Sequence, residues 1–200
     1  MAASTLPAPS ADAQAHSALL REVIQEQIIA AGGRIPFWKF MELALYAPGL
    51  GYYSAGARKF GPGGDFITAP EHSALFSACV ADALAPALRQ AGKGAVFMEV
   101  GGGSGAFAEA CLEQLQASGA LPARYAILEP SADLRQRQRE RLQARLPAAL
   151  FARVEWLDGP IQQPWDGVLF ANEVIDALPT PRFVLRGGDV LEECVALDGE

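Results

Sequence analysis

Apolar positions first recur at helical spacing from Ser17, where Leu19, Leu20, Val23, Ile24 and Ile28 share one face ahead of Gly32 and Gly33. A second short helix is predicted from Pro36, apolar enough through Phe37, Phe40, Met41, Leu43 and Leu45 to be core. The stretch 46–73 holds no sustained period and is dense in Gly, Pro and aromatic residues. Its tyrosines and phenylalanines carry more apolar surface than a solvated linker, so it reads as an ordered loop with Asp65 and Thr68 as polar contacts. A helix over about 73–90, bent or ended near Pro86, follows.

From there the rhythm changes. Strands are predicted at 95–100, 124–128, 151–156 and 167–171, with helices at about 105–118 and 131–146 between them. That alternation is the pattern of a parallel, doubly wound α/β sheet with helices on both faces. In the helix over 133–146, Leu134, Leu142 and Leu146 share a stripe with Gln138, and the arginines lie elsewhere as a solvated face. The segment 182–200 reads as a hairpin turning at Gly187-Gly188. The domain reading is a disordered lead-in over 1–16, a helical and loop subdomain over 17–92, a ligand-binding α/β domain over 93–180, and the start of a hairpin insertion over 181–200.

Composition narrows the function. The 200 residues carry a formal net charge of −7, which argues against a nucleic-acid surface. Cys79, Cys111 and Cys194 make no metal-ligand spacing and would leave one over if paired, which points to a reducing compartment, the cytoplasm. His16 and His72, the two histidines, sit in no recognisable motif, so no metal is expected, and no apolar run approaches a membrane span, so no membrane partner is expected either.

The chemistry lies at strand ends. The run FMEVGGGSGAF (97–107) places Glu99 before Gly101, Gly103 and Gly105, where a turn with positive φ lets backbone approach a ligand at a helix N-terminus. Gly101, Gly103 and Ala106 also fit G-x-G-x-x-A, a dinucleotide fingerprint. Read as E-x-G-x-G-x-G, the loop gains an acid that suits an ammonium, as in S-adenosylmethionine, and would repel a pyrophosphate. Glu129 ends the next strand, where an acid accepts hydrogen bonds from ribose hydroxyls of either cofactor. Asn172, Glu173 and Asp176 follow the fourth strand, at the ligand end of such a sheet, although Asn172 and Asp176 also suit the cap of a short helix.

Five ordered motifs, FMELALYAPGLGYY (40–53), GDFITAPEHS (64–73), EVGGGSG (99–105), LEPSADLRQRQ (128–138) and NEVIDALP (172–179), give the chain a resemblance to the MidA family of S-adenosylmethionine-dependent methyltransferases. The mitochondrial members of that family are complex I assembly factors that methylate an arginine of a partner subunit. The resemblance implies a Rossmann-like, class I methyltransferase fold with an N-terminal helical extension, and S-adenosylmethionine as cofactor. It matches Glu99, Gly101, Gly103 and Gly105 to the cofactor loop, Glu129 to the ribose acid, Asn172, Glu173 and Asp176 to the catalytic motif after the strand, and Gly64, Asp65 and Thr68 to a glycine-rich substrate and cofactor loop. Gly102 and Ser104 stand where the family often has proline and arginine, which implies a looser turn. Family members continue for well over a hundred further residues, so the expectation is a truncated sheet with an open edge, and a chain that is self-associated or marginally stable, catalytically silent toward any protein acceptor, and of at most weak cofactor affinity. A binding or assembly module without chemistry, and a nicotinamide-dependent oxidoreductase, are the rival readings.

Overall fold

A computed structural model of the chain describes residues 8–55 and 68–198. They form two compact units, Met1–Gly56 with Ile175–Glu200, and Ala57–Val174.

The first unit opens with α1 (Ala11–Ala30), which begins six residues before the predicted Ser17. The Ser10 side chain accepts from the Ala13 N–H at 3.2 Å, and the alanine-rich ADAQA run is a strong helix former, so this part of the expected lead-in is helical. Leu20, Val23, Ile24 and Ile28 are shielded as predicted, whereas Leu19 is exposed. A three-residue strand, β1 (Arg34–Pro36), leads into α2 (Phe37–Tyr46).

The second unit holds the sheet. After α3 (Ala69–His72), α4 (Ala74–Ala91) runs unbroken through Pro86. Then come β2 (Val96–Val100), α5 (Ala106–Ala117), β3 (Arg124–Leu128), α6 (Ala132–Arg145), α7 (Ala148–Phe151), β4 (Val154–Leu157) and β5 (Gly167–Ala171). All four strands are parallel, in the order β4-β3-β2-β5. The predicted strand at 151 starts only at Val154, because Pro147 opens the helical turn α7. On one face Phe97 stacks on Tyr125 at 4.9 Å and Phe107 on Phe170 at 4.1 Å, and α4, α5 and α6 close over them through Ala81, Ala85, Leu88, Leu112, Leu115 and Leu142. The expected boundary near residue 92 therefore falls elsewhere: the alanines of α4 let it pack closely with the sheet's own helices.

Past a 3-10 turn (Ile175–Ala177) the chain rejoins the first unit. There β6 (Phe183–Arg186) and β7 (Asp189–Glu192) form the predicted hairpin, with Gly187 and Gly188 both at positive φ, as a two-residue turn of this hand requires. The last strand, β8 (Cys194–Ala196), pairs antiparallel with β1, placing Ile35 opposite Val195.

Candidate functional site

The ends of β2 and β3 converge on the glycine loop. Gly101, Gly103 and Gly105 have φ of 68°, 53° and 81°, the left-handed region the sequence calls for. A Cβ on Gly101 would stand 2.9 Å from Val174 Cγ2, so the residues after β5 press directly on the loop. Gly105 N-caps α5, and its N–H returns to Gly102 O at 2.9 Å.

The expected looser turn is not found. Gly102 is buried, with room for no Cβ without crowding Ile127 and Gln138 at 3.1 and 3.2 Å. Ser104 donates to Glu71 Oε1 and accepts from the Ala106 N–H at 3.3 Å and Arg141 Nη1 at 3.4 Å. Arg141 is itself held by Glu109 at 2.6 Å. The small hydroxyl thus ties the loop to α3, whose N-cap is Thr68, and to α6.

Glu99 is 3% exposed. It accepts from the Tyr125 hydroxyl at 2.8 Å. Burial raises its pKa from 4.5 to about 7, against the lowering effect of that bond and with a further push from Glu129. The same burial, followed by the charge of Glu99, drives the Cys111 thiol and the Tyr125 hydroxyl upward. Glu129 is 5% exposed; its Oε1 accepts from the Ser131 N–H at 3.0 Å and its Oε2 from Gln138 Nε2 at 3.3 Å. Burial raises it too, opposed by Ser131, Gln138, the Gly103 backbone and the charge of Arg135. Among the described residues no ion pair reaches either acid.

The structure therefore brings Glu99, Gly101, Gly103, Gly105 and Glu129 together, with Val174 against Gly101. Asn172 is half-buried and Glu173 exposed. Glu173 has φ 52°, the one non-glycine residue at positive φ among those described, a strained geometry that concentrates at functional sites. Among the described residues neither Asn172 nor Asp176 makes a side-chain bond to the 3-10 turn, so no cap is formed there. Asp176 belongs to the other compact unit. Tyr46 Oη donates to Ala177 O at 3.0 Å and so anchors that turn within its unit. Gly64 and Asp65 lie outside the described residues. Sequence reasoning missed Tyr125, Glu71 and the role of Gln138; only Gln138, a polar residue on an apolar stripe, gave a signal.

The described residues contain no group of three or more His, Cys, Asp or Glu suited to a metal, and no helix long and apolar enough to cross a membrane. A parallel α/β sheet with a glycine loop between two buried acids defines the class: a Rossmann-like nucleoside-cofactor fold. The family profile described as "Putative S-adenosyl-L-methionine-dependent methyltransferase" matches residues 79–200, and the chain belongs to this family, in keeping with the sequence resemblance. A COG1565 superfamily structure from Burkholderia thailandensis, bound to S-adenosyl-homocysteine, is 44% identical with a TM-score of 0.87. The match covers 98% of this chain and 51% of that one, so the chain spans about half the length of its relative. A native structure from the same superfamily and organism is 42% identical over 98% of this chain and 49% of that one, with a TM-score of 0.83. No match is found among curated proteins.

Proposed function

We propose that the chain forms the S-adenosylmethionine site of a methyltransferase whose acceptor is a protein arginine. The observation that carries the cofactor is Glu99: a buried carboxylate at the mouth of a glycine loop, raised to about 7 and with no ion pair among the described residues, is suited to the ammonium of an amino-acid cofactor. A pyrophosphate there would be repelled, which disfavours a nicotinamide cofactor. Glu129 suits the ribose hydroxyls, since a carboxylate offers about four acceptor positions. The relative with S-adenosyl-homocysteine supports the same reading.

Bound there, S-adenosylmethionine supplies an electrophilic sulfonium methyl. The chain's own task is to align the acceptor and take up its charge and proton. Glu173, exposed after β5, can pair with a guanidinium in a forked geometry, and Asn172 can fix the acceptor through its side-chain carbonyl. Asp176 is the further acid of that motif. The choice of arginine, and a role in respiratory-complex assembly, rest on the family resemblance. Calorimetric titration tests the cofactor: saturable binding of S-adenosyl-homocysteine is expected. Tight NAD binding without any response to S-adenosyl-homocysteine overturns the proposal.

A further inference from the structure

Leu134, Gln138 and Leu142 make the buried face of α6, and Gln138 is its one polar member. A buried amide is costly unless its donor and acceptor groups find partners. Here both ends of the amide are bonded: Nε2 donates to Gly103 O at 2.9 Å and to Glu129 Oε2 at 3.3 Å, and Oε1 accepts from Trp156 Nε1 at 2.9 Å. None of these partners belongs to α6. An indole N–H can only donate, so the amide oxygen must face Trp156 and the NH2 must face the loop and the acid. The orientation is fixed by chemistry. The glycine loop is shaped around this side chain, since a Cβ on Gly102 would lie 3.2 Å from Nε2 and one on Gly105 would lie 3.5 Å from Gln138 Cα.

We infer that Gln138, oriented by Trp156, is the positioning residue of the cofactor site, setting the glycine loop and the Glu129 carboxylate in register with each other. The inference rests on the reading of Glu129 as the ribose acid. One NH2 group bonds both parts of the site that must meet the same ligand, so its rigid plane backs the direct contact between the Gly103 backbone and Glu129. The Ser131 N–H bonds the oxygen that Gln138 does not touch, and the Gly103 backbone adds a direct contact from the loop to the same carboxylate.

The test is calorimetric titration of the 200-residue chain with S-adenosyl-homocysteine and with its 2′-deoxyribose analogue. The native chain should prefer the first. Gln138→Met, which keeps the volume, should weaken S-adenosyl-homocysteine by about 10- to 100-fold, the effect of a lost hydrogen bond to a charged group. It should also bring the two ligands within about threefold of each other, because the misplaced carboxylate no longer reads the hydroxyl. Trp156→Phe leaves the amide in place but frees it to turn, and should shift the same ratio in the same direction; it carries the test if Gln138→Met does not fold. Equal weakening of both ligands, or an unchanged ratio in both variants, overturns the inference and leaves the cofactor reading standing. Failure of the native chain to bind S-adenosyl-homocysteine overturns both.

Discussion

Glu99→Gln should make the chain more stable, and only above a definite pH. In the unfolded chain a glutamate titrates near 4.5; in the fold, burial holds Glu99 up to about 7. The folded state therefore keeps a proton that the unfolded state has lost between those values. Stability from this group is complete below pH 4.5, declines through the window, and is gone above about 7. At about 1.4 kcal/mol for each tenfold change in proton binding, the rise amounts to about 3 kcal/mol. Because Glu99 is almost wholly buried, solvent screening does not reduce it. The neutral amide introduced by Glu99→Gln carries no such penalty at any pH and can still bond the Tyr125 hydroxyl. For a chain of this length the gap at pH 8 corresponds to roughly 6–12 °C in Tm, with none near pH 4.5. Thermal unfolding of both proteins at half-unit steps from pH 4.5 to 8 measures it. Curves that stay parallel across the window refute the burial argument, and with it the claim that Glu99 awaits a cation.

Binding of S-adenosyl-homocysteine at pH 6 should release a proton from Glu99, seen as a calorimetric heat that varies with the ionisation enthalpy of the buffer; a heat independent of the buffer contradicts the ammonium contact. Gly103→Val forces a branched residue to φ 53° and should abolish that binding, whereas Glu173→Gln should leave it within threefold and, measured on a protein of the family's full length, eliminate methyl transfer. Normal turnover in Glu173→Gln removes Glu173 from the acceptor site. The exposed Phe183, Leu185 and Val190 of the hairpin, and Leu169 on the edge strand β5, should make the chain self-associate. Leu185→Lys combined with Val190→Lys should lower the mass found by light scattering, and a native chain that is already monomeric denies the association.

The sheet was legible because β2, β3 and β5 are mostly apolar runs between turn signals, and the glycine loop because its backbone needs positive φ that only glycine supplies cheaply. The pairing of β1 with β8 was not legible. Each is three residues long, too short for an alternation to register, and their partnership depends on contacts made far along the chain. The early start of α1 was missed because its first turns are alanine-rich and lack an apolar stripe, so only the Ser10 cap marks them. In the site, Glu99 and Glu129 stood out as acids at strand ends. Tyr125 did not, since an aromatic residue inside a strand reads as core; its ring is core, stacked on Phe97, while its hydroxyl serves Glu99. Gln138 shows the same division between packing and bonding. Its position in the stripe was evident, but its partners lie on the loop between β2 and α5, after β3, and on β4, and only the fold brings those together.

On the proposed reading, the glycine loop and the two buried acids make one S-adenosylmethionine site. Titration of the isotope-labelled chain with S-adenosyl-homocysteine, followed by amide NMR, tests it residue by residue. Gly101, Gly103, Gly105 and the Trp156 indole should shift together and saturate at one equivalent, while Gly187 and Gly188 in the hairpin should stay still. Saturable shifts that leave the loop glycines unmoved would contradict it.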